Sequence, residues 1–276
     1  MGVAMNFTGS KRRERILTEL YAHRHMNARD LAGATGVSEA TVRRDLKVMA
    51  DEGQVELVYG GASIRRLSDL SFRSKAVRNP DAKQTIGRLA AELIHDEDQV
   101  FLDSGTTSFA VAQHLKRKRG LSIIVNSARL ALELDAPGLS VILLGGQYRT
   151  DRMDTVGPLT MNALDQLRGY ICMIGADGLS MDFGLAAADI ESASLYRRAI
   201  QNARQTVLIA DQTKFQNSSL YKIVDWNAVS RVVTDVTPSG PWEDFFRAKA
   251  IELVTPSRSP MSESNSQQEN QGAIHA

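Results

Sequence analysis

Residues 38–52, SEATVRRDLKVMADE, carry the pattern that most restricts how this chain can fold. Apolar residues recur there at helical spacing and form one stripe: Val42, Leu46 and Met49. The opposite side is small or cationic: Ala40, Arg44 and Lys47, with Arg43 at the flank. Ser38 is a good N-cap and Gly53 suits the position after the last turn, so both ends are marked. The pattern predicts an amphipathic helix with its cations turned away from its own core, as a DNA recognition helix requires.

A second short helix is predicted directly before this one. Asn27 caps residues 28–35, and the pair Gly36-Val37 leaves room only for a very tight turn. Two helices joined by so short a turn form a helix-turn-helix. An earlier helix at residues 11–21 would complete a three-helix core with these side chains: Ile16, Leu17 and Leu20.

A short hairpin is predicted after the helices. Apolar and polar residues alternate before a glycine pair: Val55, Glu56, Leu57 and Val58, then Gly60 and Gly61. Alternation that ends in turn formers is typical of a hairpin, here the wing of a winged helix-turn-helix.

A small helical packing unit with a solvated charged face would show a similar pattern, but the distribution of charge favours DNA binding. Residues 11–78 hold 14 Lys and Arg against 9 Asp and Glu, whereas the remainder holds 19 basic and 23 acidic residues. The net charge of +1 is therefore the sum of a basic N-terminal part and an acidic remainder. A basic part of this kind is typical of a nucleic-acid-binding domain. We expect the DNA contacts to come from five residues: Ser38, Thr41, Arg43, Arg44 and Lys47.

Length and composition limit the other possibilities. A chain of 276 residues with 43% hydrophobic content can bury one small and one medium core. No run of about 18 apolar residues suggests a membrane span, and the first residues lack the apolar stretch of a signal peptide, so we expect a cytoplasmic protein. The single cysteine, Cys172, lies in an apolar run and is predicted to be a buried structural thiol. The five histidines lack metal-ligand spacing, so neither a metal nor another cofactor is expected.

The remainder of the chain predicts an α/β domain. Residues 63–80 are polar and basic without a sustained period and are interpreted as a linker. Helix-like segments then alternate with short β-rich runs: 100–102, 122–125, 141–144, 170–174, 206–210 and 231–234. This alternation predicts a mostly parallel sheet with helices on both faces. The expected domains are a winged helix-turn-helix at 10–65, a linker at 66–81, an α/β domain at 82–256 and a disordered tail at 257–276.

In an open α/β sheet, ligands bind outside the carboxyl ends of the strands, so the residues after each β-run form the candidate site. The first run is followed by DSGTT, in which Gly105, flanked by hydroxyl residues, opens a helix and suits a phosphate. Later runs end in related motifs: Gly145-Gly146, GADG and DQTK. Lys214 of the last motif would place a charge on the same phosphate. Asp103 and Asp177 would accept hydrogen bonds from sugar hydroxyls.

Turn and cap formation is the alternative explanation for these motifs. Gly, Ser, Thr and Asp are ordinary at strand-to-helix junctions, and for any one motif the two explanations are about equally good. The occurrence of four such motifs at strand ends favours a ligand site. No P-loop lysine follows a Gly-rich loop, no GxGxxG opens a helix and no Ser/His/Asp order is visible, so nucleotide hydrolysis and acyl transfer have no support.

Over residues 11–255 the chain resembles the DeoR-type transcriptional regulators, bacterial repressors of carbohydrate catabolism. The resemblance rests on an ordered set of motifs: GVSEATVRRDLKVMADEG, YGGA, FLDSGTT, VNSARLALEL, LLGGQYR, GADG and IADQTKF. The linker has similar spacing at four residues: Phe72, Arg73, Asn79 and Lys83. The resemblance implies an N-terminal operator-binding domain and a C-terminal sensor related to ribose 5-phosphate isomerase, with a phosphorylated sugar as effector.

Carried over residue by residue, the resemblance places the phosphate loop of the isomerase on residues 104–107 and its phosphate lysine on Lys214. The complete effector set that we expect is Asp103, Ser104, Gly105, Thr106, Thr107, Gly145, Gly146, Arg149, Asp177 and Lys214. Two isomerase features are missing, because Ile174 replaces the first carboxylate of DGAD and FGLAAAD, residues 183–189, lacks the lysine before the glycines. Since isomerisation needs a positioned acid and base, we expect binding without turnover and no catalytic residue.

The wing also departs from the family pattern. Family members often carry Arg and His before the glycine pair, where this chain has Leu57 and Tyr59. We therefore expect the wing to contribute less to DNA affinity here.

The sequence thus predicts a transcriptional repressor of a carbohydrate-utilisation operon that a phosphorylated sugar releases from double-stranded operator DNA. Because one small head makes few contacts, a homo-oligomer, dimer or tetramer, is expected. Two alternatives stay open: a constitutive DNA-binding protein whose α/β domain only oligomerises, and an active sugar-phosphate isomerase fused to a DNA-binding head. Activation in place of repression stays open as well.

Overall fold

The computed structural model describes residues 9–23, 25–51, 54–63, 72–238 and 240–257. The chain divides into two compact units with the boundary between Arg78 and Asn79. The smaller, N-terminal unit is called the head and the larger one the body, and each is described by itself.

The described part of the head consists of helices and a small antiparallel sheet. The helices are α1 (Gly9–His23), α2 (Ala28–Thr35), α3 (Glu39–Asp51) and α4 (Phe72–Ala76). The strands are β1 (His25–Asn27), β2 (Glu56–Val58) and β3 (Gly61–Ser63), in the order β1-β3-β2. The helix-turn-helix of α2 and α3 and the hairpin of β2 and β3 confirm the predicted winged helix-turn-helix.

Local capping explains why α2 begins and ends where it does. The side chain of Asn27 accepts the N–H of Asp30 at 2.8 Å. Gly36 adopts the left-handed conformation with φ of 68° and donates its N–H to the carbonyl of Ala32 at 2.9 Å. Such a left-handed cap strongly favours glycine and turns the chain sharply toward α3.

The head has its own apolar core. The predicted stripe on α3 is buried against the inner sides of α1 and α2, with these members: Ile16, Leu20, Leu31, Val42, Leu46 and Met49. Val55 and Ala62 extend this core to the hairpin of β2 and β3. Three short helices and a hairpin therefore enclose one cluster, which fixes the outer side of α3 toward solvent.

The segment interpreted as a linker contains more regular structure than the sequence predicts. Helix α4 lies within it and contacts α1, and α5 already begins at Pro80. Residues 64–71 of this segment, Gly53 and the predicted tail from residue 258 onward lie outside the described residues.

The body is built from alternating strands and helices. Its helices are α5 (Pro80–Glu92), α6 (Thr106–Leu115), α7 (Ala128–Glu133), α8 (Pro158–Leu164), α9 (Ile190–Asn202) and α10 (Gly240–Ala248). Its strands are β4 (Gln99–Leu102), β5 (Leu121–Val125), β6 (Leu139–Leu143), β7 (Gln147–Arg149), β8 (Asp154–Val156), β9 (Ile171–Ile174), β10 (Gly178–Ser180), β11 (Gly184–Ala187), β12 (Gln205–Ile209), β13 (Tyr221–Val224), β14 (Arg231–Val233) and β15 (Glu252–Val254). Short 3-10 helices occupy Gln212–Gln216 and Trp226–Ala228.

Seven strands form one parallel sheet in the order β15-β14-β12-β9-β4-β5-β6. The six predicted strands are confirmed, each with ends within two residues of the prediction, and β15 is an additional edge strand. Two small antiparallel sheets, β10-β11-β13 and β7-β8, lie outside it. Because all seven strands run the same way, the residues after β4, β9 and β12 come out along one edge.

Both faces of the large sheet are buried. Alternate residues of the central strands enter two separate clusters, one with Phe101, Cys172 and Leu208 and the other with Leu102, Met173 and Val207. Helices α9 and α10 pack on the first face, and α5 and α6 on the second. Cys172 is fully buried, as predicted, and burial raises the pKa of its thiol. No helix in the described part of the chain is long and apolar enough to cross a membrane.

Helices α5 and α6 approach closely at a glycine. A Cβ added to Gly87 would lie 2.7 Å from the carbonyl carbon of Ala110, so only glycine fits without a shift of backbone. The positions after β4 depend on α6, and this contact therefore helps to hold the start of that helix in place.

We expect Gly87→Ala to lower the free energy of unfolding of the body by about 1 to 3 kcal/mol, because the cost of overpacking exceeds the helix propensity gained. Denaturant-induced unfolding followed by tryptophan fluorescence measures this loss. Gly240→Ala is the matched control, since a Cβ there meets nothing within 4 Å. Equal stabilities of the two variants would contradict the close approach of α5 and α6.

Candidate DNA-reading face and anion site

The outer side of α3 carries the exposed cations that the sequence predicts. Arg44 and Lys47 are exposed, opposite the buried apolar stripe. Arg43 is exposed too, with its Nη2 at 3.3 Å from Oε2 of Glu39. An exposed pair of this kind contributes little to stability, so Arg43 is able to exchange Glu39 for another anion.

The N-terminal end of α3 presents two hydroxyls. The N–H of Thr41 donates to Oγ of Ser38 at 3.3 Å, and the two hydroxyl oxygens lie 3.0 Å apart. Ser38 therefore caps α3, and both hydroxyls lie where the helix dipole favours a phosphate oxygen. The structure thus brings all five predicted DNA contacts onto α3 and its cap.

An ion pair inside the head fixes how α3 sits on α1. Arg12 donates through Nε to Oδ2 of Asp45 at 2.5 Å and through Nη2 to Oδ1 at 3.2 Å. Asp45 is buried on the inner side of α3, and Nη1 of Arg13 lies 3.7 Å from it. Arg12 therefore serves the packing of the head, whereas Lys11 is exposed.

The wing tip is apolar. Tyr59 is fully exposed at the turn between β2 and β3, and Leu57 is half exposed. A Cβ on Gly61 would lie 2.1 Å from the carbonyl oxygen of Met26, so glycine is required for β3 to pair with β1. The hairpin is anchored by β1, and its tip presents a ring and aliphatic groups in place of cations.

In the body, Asp103 organises the loop after β4. Its Oδ1 accepts the N–H of Gly105 at 3.0 Å and the hydroxyl of Ser108, and its Oδ2 accepts the N–H of Gly175 at 2.7 Å. Asp103 is buried. Because protein donors occupy both oxygens, we assign Asp103 to shaping the loop and not to contacting a sugar.

The next residues form an anion-binding type of helix start. Gly105 is the N-cap residue of α6 with extended backbone, φ −77° and ψ 163°. The first N–H groups of a helix have no carbonyl four residues earlier to bond, and here Thr106 and Thr107 add hydroxyls beside them. Ser104 is turned inward, where its hydroxyl donates to Oδ2 of Asp154 at 2.8 Å.

Behind Ser104 lies a group of charged side chains, which we call the Arg–Asp cluster: Arg149, Arg152, Asp154 and Asp189. Arg149 binds the carboxylate of Asp154 through Nε at 2.8 Å and Nη2 at 2.7 Å, and donates from Nη1 to Asp189 at 2.9 Å. Arg152 donates from Nη1 to Asp189 at 2.5 Å and lies 3.5 Å from Asp154. Asp154 is fully buried, and Asp189 keeps 20% of its side chain exposed. The cluster therefore reaches from the base of the loop to the surface.

Three residues of α9 complete the surroundings of the Arg–Asp cluster: Glu191, Ser192 and Tyr196. Asp189 is also the N-cap of α9 and accepts the N–H of Ser192 at 2.8 Å. Glu191, which is exposed, lies 3.5 Å from Nη1 of Arg149. The hydroxyl of Tyr196, from the same helix, lies 3.1 Å from that of Ser104.

The protonation states of these groups follow from their partners. Burial alone would raise the pKa of Asp189, but the N–H of Ser192 and the guanidiniums of Arg152 and Arg149 hold that pKa well below its usual range. Burial would lower the pKa of Arg149, yet Asp154 and Asp189 raise it. Arg149 and Asp189 are therefore both charged at neutral pH.

The sequence predicts Arg149 as a site residue but not its partners Arg152, Asp154 and Asp189. A signal exists in the stretch RTDRMD at residues 149–154, where charges of both signs crowd into a turn between two short strands. Nothing local indicates that this turn meets the start of α9, because that meeting is set by tertiary structure.

A buried acceptor lies beside Asp154. The side-chain N–H of Asn126 donates to the carbonyl of Thr155 at 2.9 Å, while its Oδ1 is buried and has no donor among the described residues. Ser127 pairs with Asp154 in an isolated bridge, which keeps this amide next to β8.

The glycine pair after β6 serves packing. A Cβ on Gly146 would lie 1.9 Å from Oγ1 of Thr160, and that hydroxyl donates to the carbonyl of Gly145 at 2.8 Å. Gly145 itself is exposed, with nothing within 4 Å of a Cβ position. Gly146 is thus explained by its contact with α8, and Gly145 leaves open space at the edge of the sheet.

The remaining predicted residues follow β9 and β12. Asp177, half-buried, accepts the N–H of Ala188 at 2.9 Å and so connects the end of β9 with the residue before Asp189. Lys214 is half-buried on the 3-10 helix after β12, whose N-cap Asp211 accepts from Thr213 N at 3.0 Å. Since β9 lies between β4 and β12, both residues extend the edge that begins at the β4 loop.

Both parts of the chain match known protein families. A family model described as the DeoR C terminal sensor domain matches residues 78–236, and one described as a DeoR-like helix-turn-helix domain matches residues 12–66. The chain belongs to the DeoR family. The expected resemblance is confirmed: the helix-turn-helix match lies within the head, and the sensor match covers the body of this DeoR-family protein up to the end of β14.

Relatives that match this chain over most of their length are named as transcriptional repressors. The chain is 32% identical over 244 residues to the HTH-type transcriptional repressor GlcR of Bacillus subtilis, which covers 87% of this chain and 93% of that protein. It is 29% identical over 250 residues to a putative aga operon transcriptional repressor of Escherichia coli O157:H7, and the match covers 89% of this chain and 93% of that protein.

Solved structures with a similar fold are more distant. A D-ribose-5-phosphate isomerase in complex with phospho-erythronic acid has a TM-score of 0.37 and 14% identity, over 49% of this DeoR-family chain and 53% of the isomerase. The eIF2B delta chain of Chaetomium thermophilum has a TM-score of 0.43 and 13% identity, over 85% of this chain and 92% of that one. Neither likeness bears on activity or ligand.

The low pKa of Asp189 predicts a pH-dependent contribution to stability in this protein. A carboxyl group whose pKa is lowered on folding stabilises the fold above its unfolded-state pKa, for which 3.8 is the ordinary value, and loses that contribution as the pH falls below it. Asp189→Asn keeps a helix-capping side chain but removes the charge. We expect this variant to be less stable than wild type by about 1 to 3 kcal/mol near neutral pH, because two arginines lose their partner.

The gap in the free energy of unfolding between the two proteins is expected to stay constant above about pH 5 and to narrow as the pH falls through 3.8 toward the lower folded-state pKa of Asp189. Denaturant-induced unfolding at several pH values measures it. A gap that stays constant below pH 3.8 as well would show that the Asp189 carboxylate does not depend on its folded-state partners.

Proposed function

We propose that this protein is a transcriptional repressor of a carbohydrate-utilisation operon that releases its operator when a phosphorylated sugar binds the body. The observation that carries the proposal is the presence, in one DeoR-family chain, of an exposed cationic recognition helix and of a helix start suited to an anion after β4. The relatives named as repressors support the same class of function.

On the DNA side, α3 enters the major groove. Arg44 and Lys47 point outward from its middle, and Arg43 joins them when it leaves Glu39. Arginine contacts to guanine edges would set the sequence preference, whereas Lys47 and the hydroxyls of Ser38 and Thr41 would bind phosphates and set the register. The apolar tip of the wing adds little charge, so most of the electrostatic affinity comes from the helices.

On the effector side, the phosphate binds at the start of α6. The N–H groups and hydroxyls of Thr106 and Thr107 contact it, and Lys214 supplies a cation from the segment after β12, two strands away from β4 in the sheet. Gly145 leaves space at the end of β6, while Arg149 and Asp177 lie near the remainder of the sugar. Asp103 supports this set by fixing the loop.

The body binds the effector without converting it. Aldose–ketose isomerisation moves a proton between neighbouring carbons and needs a base and an acid positioned beside them. In this chain the carboxylate of Asp177 accepts a backbone N–H, and Ile174 stands where the isomerase pattern has its first carboxylate. A sensitive assay for ketose formation from pentose and hexose phosphates is therefore expected to show no turnover.

Regulation requires the bound sugar to favour one arrangement of the heads over another, with a coupling free energy of typically about 1 to 3 kcal/mol. One head offers few base contacts. We therefore propose a homo-oligomer, a dimer or tetramer, that reads repeated half-sites in double-stranded DNA.

The direct test is fluorescence anisotropy of labelled DNA from the region upstream of the protein's own gene cluster. Protein is titrated first and a panel of sugar phosphates second, at fixed salt because phosphate contacts dominate affinity. Specific binding that one phosphorylated sugar releases, and its unphosphorylated form does not, is the expected result. Specific binding that no sugar phosphate alters would instead favour a constitutive DNA-binding protein.

We expect Arg44→Ala to weaken operator binding by about 1 to 3 kcal/mol and to relax sequence preference, because it removes a base contact. The same anisotropy assay measures this loss. Arg29→Ala, which removes an exposed arginine from α2, is the control. Unchanged affinity in the Arg44 variant would remove that residue from the DNA-reading face.

We expect Lys214→Ala to bind operator with wild-type affinity but to need at least about tenfold more effector for release, because a charge-assisted bond to the phosphate is lost. Release is measured by titrating the active sugar phosphate into the protein–operator complex. Lys249→Ala, an exposed lysine beside Asn227 on the body, should respond like wild type. A normal response in the Lys214 variant would rule out its phosphate contact.

A further inference from the structure

The Arg–Asp cluster has no spare positive charge. It contacts the loop after β4 directly, since the hydroxyl of Ser104 donates to Asp154. Its two guanidiniums are paired with its two carboxylates, and Glu191 adds a third negative charge beside Arg149. The group including Glu191 therefore carries a formal charge of −1, although it contains two arginines.

The hydrogen-bonding groups of the cluster are largely used. Nε, Nη1 and Nη2 of Arg149 all have oxygen acceptors, the last of them including Oγ of Ser192 at 3.1 Å. The Oδ1 of Asn126, whose chain neighbour Ser127 pairs with Asp154, is buried and has no donor among the described residues. A hydroxyl is able to donate to such an oxygen, whereas an anion is repelled by it.

A second anionic group here would have two unfavourable choices. It would either displace Asp189 from both arginines, which breaks contacts of 2.5 and 2.9 Å, or lie against Asp189 and Glu191. Like charges brought together away from water are strongly unfavourable. A sugar hydroxyl has neither difficulty, because it is uncharged and donates to a carboxylate oxygen without displacing an arginine.

We propose that the Arg–Asp cluster is the subsite for the uncharged, hydroxyl-bearing end of the effector, and that Asp189 excludes a second anionic group. This inference rests on the proposed function, in which the single phosphate occupies the start of α6. The effector is therefore a sugar or polyol monophosphate. Sugar bisphosphates and phosphorylated sugar acids are rejected, even though the site contains two arginines.

The test uses the full-length protein and matched ligands. Thermal shift and isothermal titration calorimetry compare pentose and hexose monophosphates with their bisphosphate and sugar-acid counterparts, for example fructose 6-phosphate, fructose 1,6-bisphosphate and 6-phosphogluconate. Wild type should bind the best monophosphate at least about tenfold more tightly than its doubly anionic counterparts, because these meet uncompensated carboxylates.

Asp189→Asn should shift this ratio by at least about tenfold in favour of the doubly anionic ligands, because it frees positive charge while keeping a capping side chain for α9. Asp165→Asn is the matched control, since Asp165 pairs with Arg198 elsewhere on the body at 3.3 Å. If Asp189→Asn does not fold, Glu191→Gln tests the same charge at an exposed position and should shift the ratio in the same direction.

The outcomes separate the two levels of the proposal. A bisphosphate or sugar acid that binds wild type as tightly as the monophosphate overturns the neutral subsite but leaves a sugar-phosphate-responsive repressor in place. A ratio unchanged in Asp189→Asn, or in Glu191→Gln if the first variant is unfolded, likewise overturns the role of the cluster. No binding of any phosphorylated sugar, with operator binding intact, overturns the proposed effector and the subsite together.

Discussion

The carboxylate of Asp103 holds together the end of the sheet where the candidate anion site lies. It accepts N–H groups from Gly105 and Gly175 and the hydroxyl of Ser108, and so joins the ends of β4 and β9 to the first turn of α6. A buried carboxylate without such donors would cost several kcal/mol. With them, the first turn of α6 is already in place before any ligand arrives, and little ordering remains for binding to supply.

Much of this architecture could be predicted because it is encoded in local patterns. Asn27 and Gly36 bound α2 through hydrogen bonds within a few residues of themselves. The strands of the large sheet are apolar runs because both their faces are buried, and the DSGTT loop is recognisable because it follows such a run. Strand β15 escaped prediction because only three residues, ELV, form it, too few to show a β-rich run.

The Arg–Asp cluster could not be predicted in the same way. Arg149 and Asp154 belong to a turn between two short strands, Asp189 starts α9, and Ser104 follows β4, so four charged or polar groups arrive from three separate segments. Sequence shows their charges but not their pairing. The pairing decides which anions an arginine can bind. Arg149, a candidate effector ligand from the sequence, is bound to carboxylates of its own protein.

The burial of Cys172 has a practical consequence. It is the single cysteine of the chain, it lies in the centre of the sheet, and its thiol reacts poorly while it stays protonated and inaccessible. A cysteine introduced at the fully exposed wing tip, Tyr59→Cys, would therefore be the one thiol that a maleimide dye reaches in the folded protein. The native thiol becomes reactive only when the body opens, so the number of dyes bound per chain distinguishes folded from unfolded molecules.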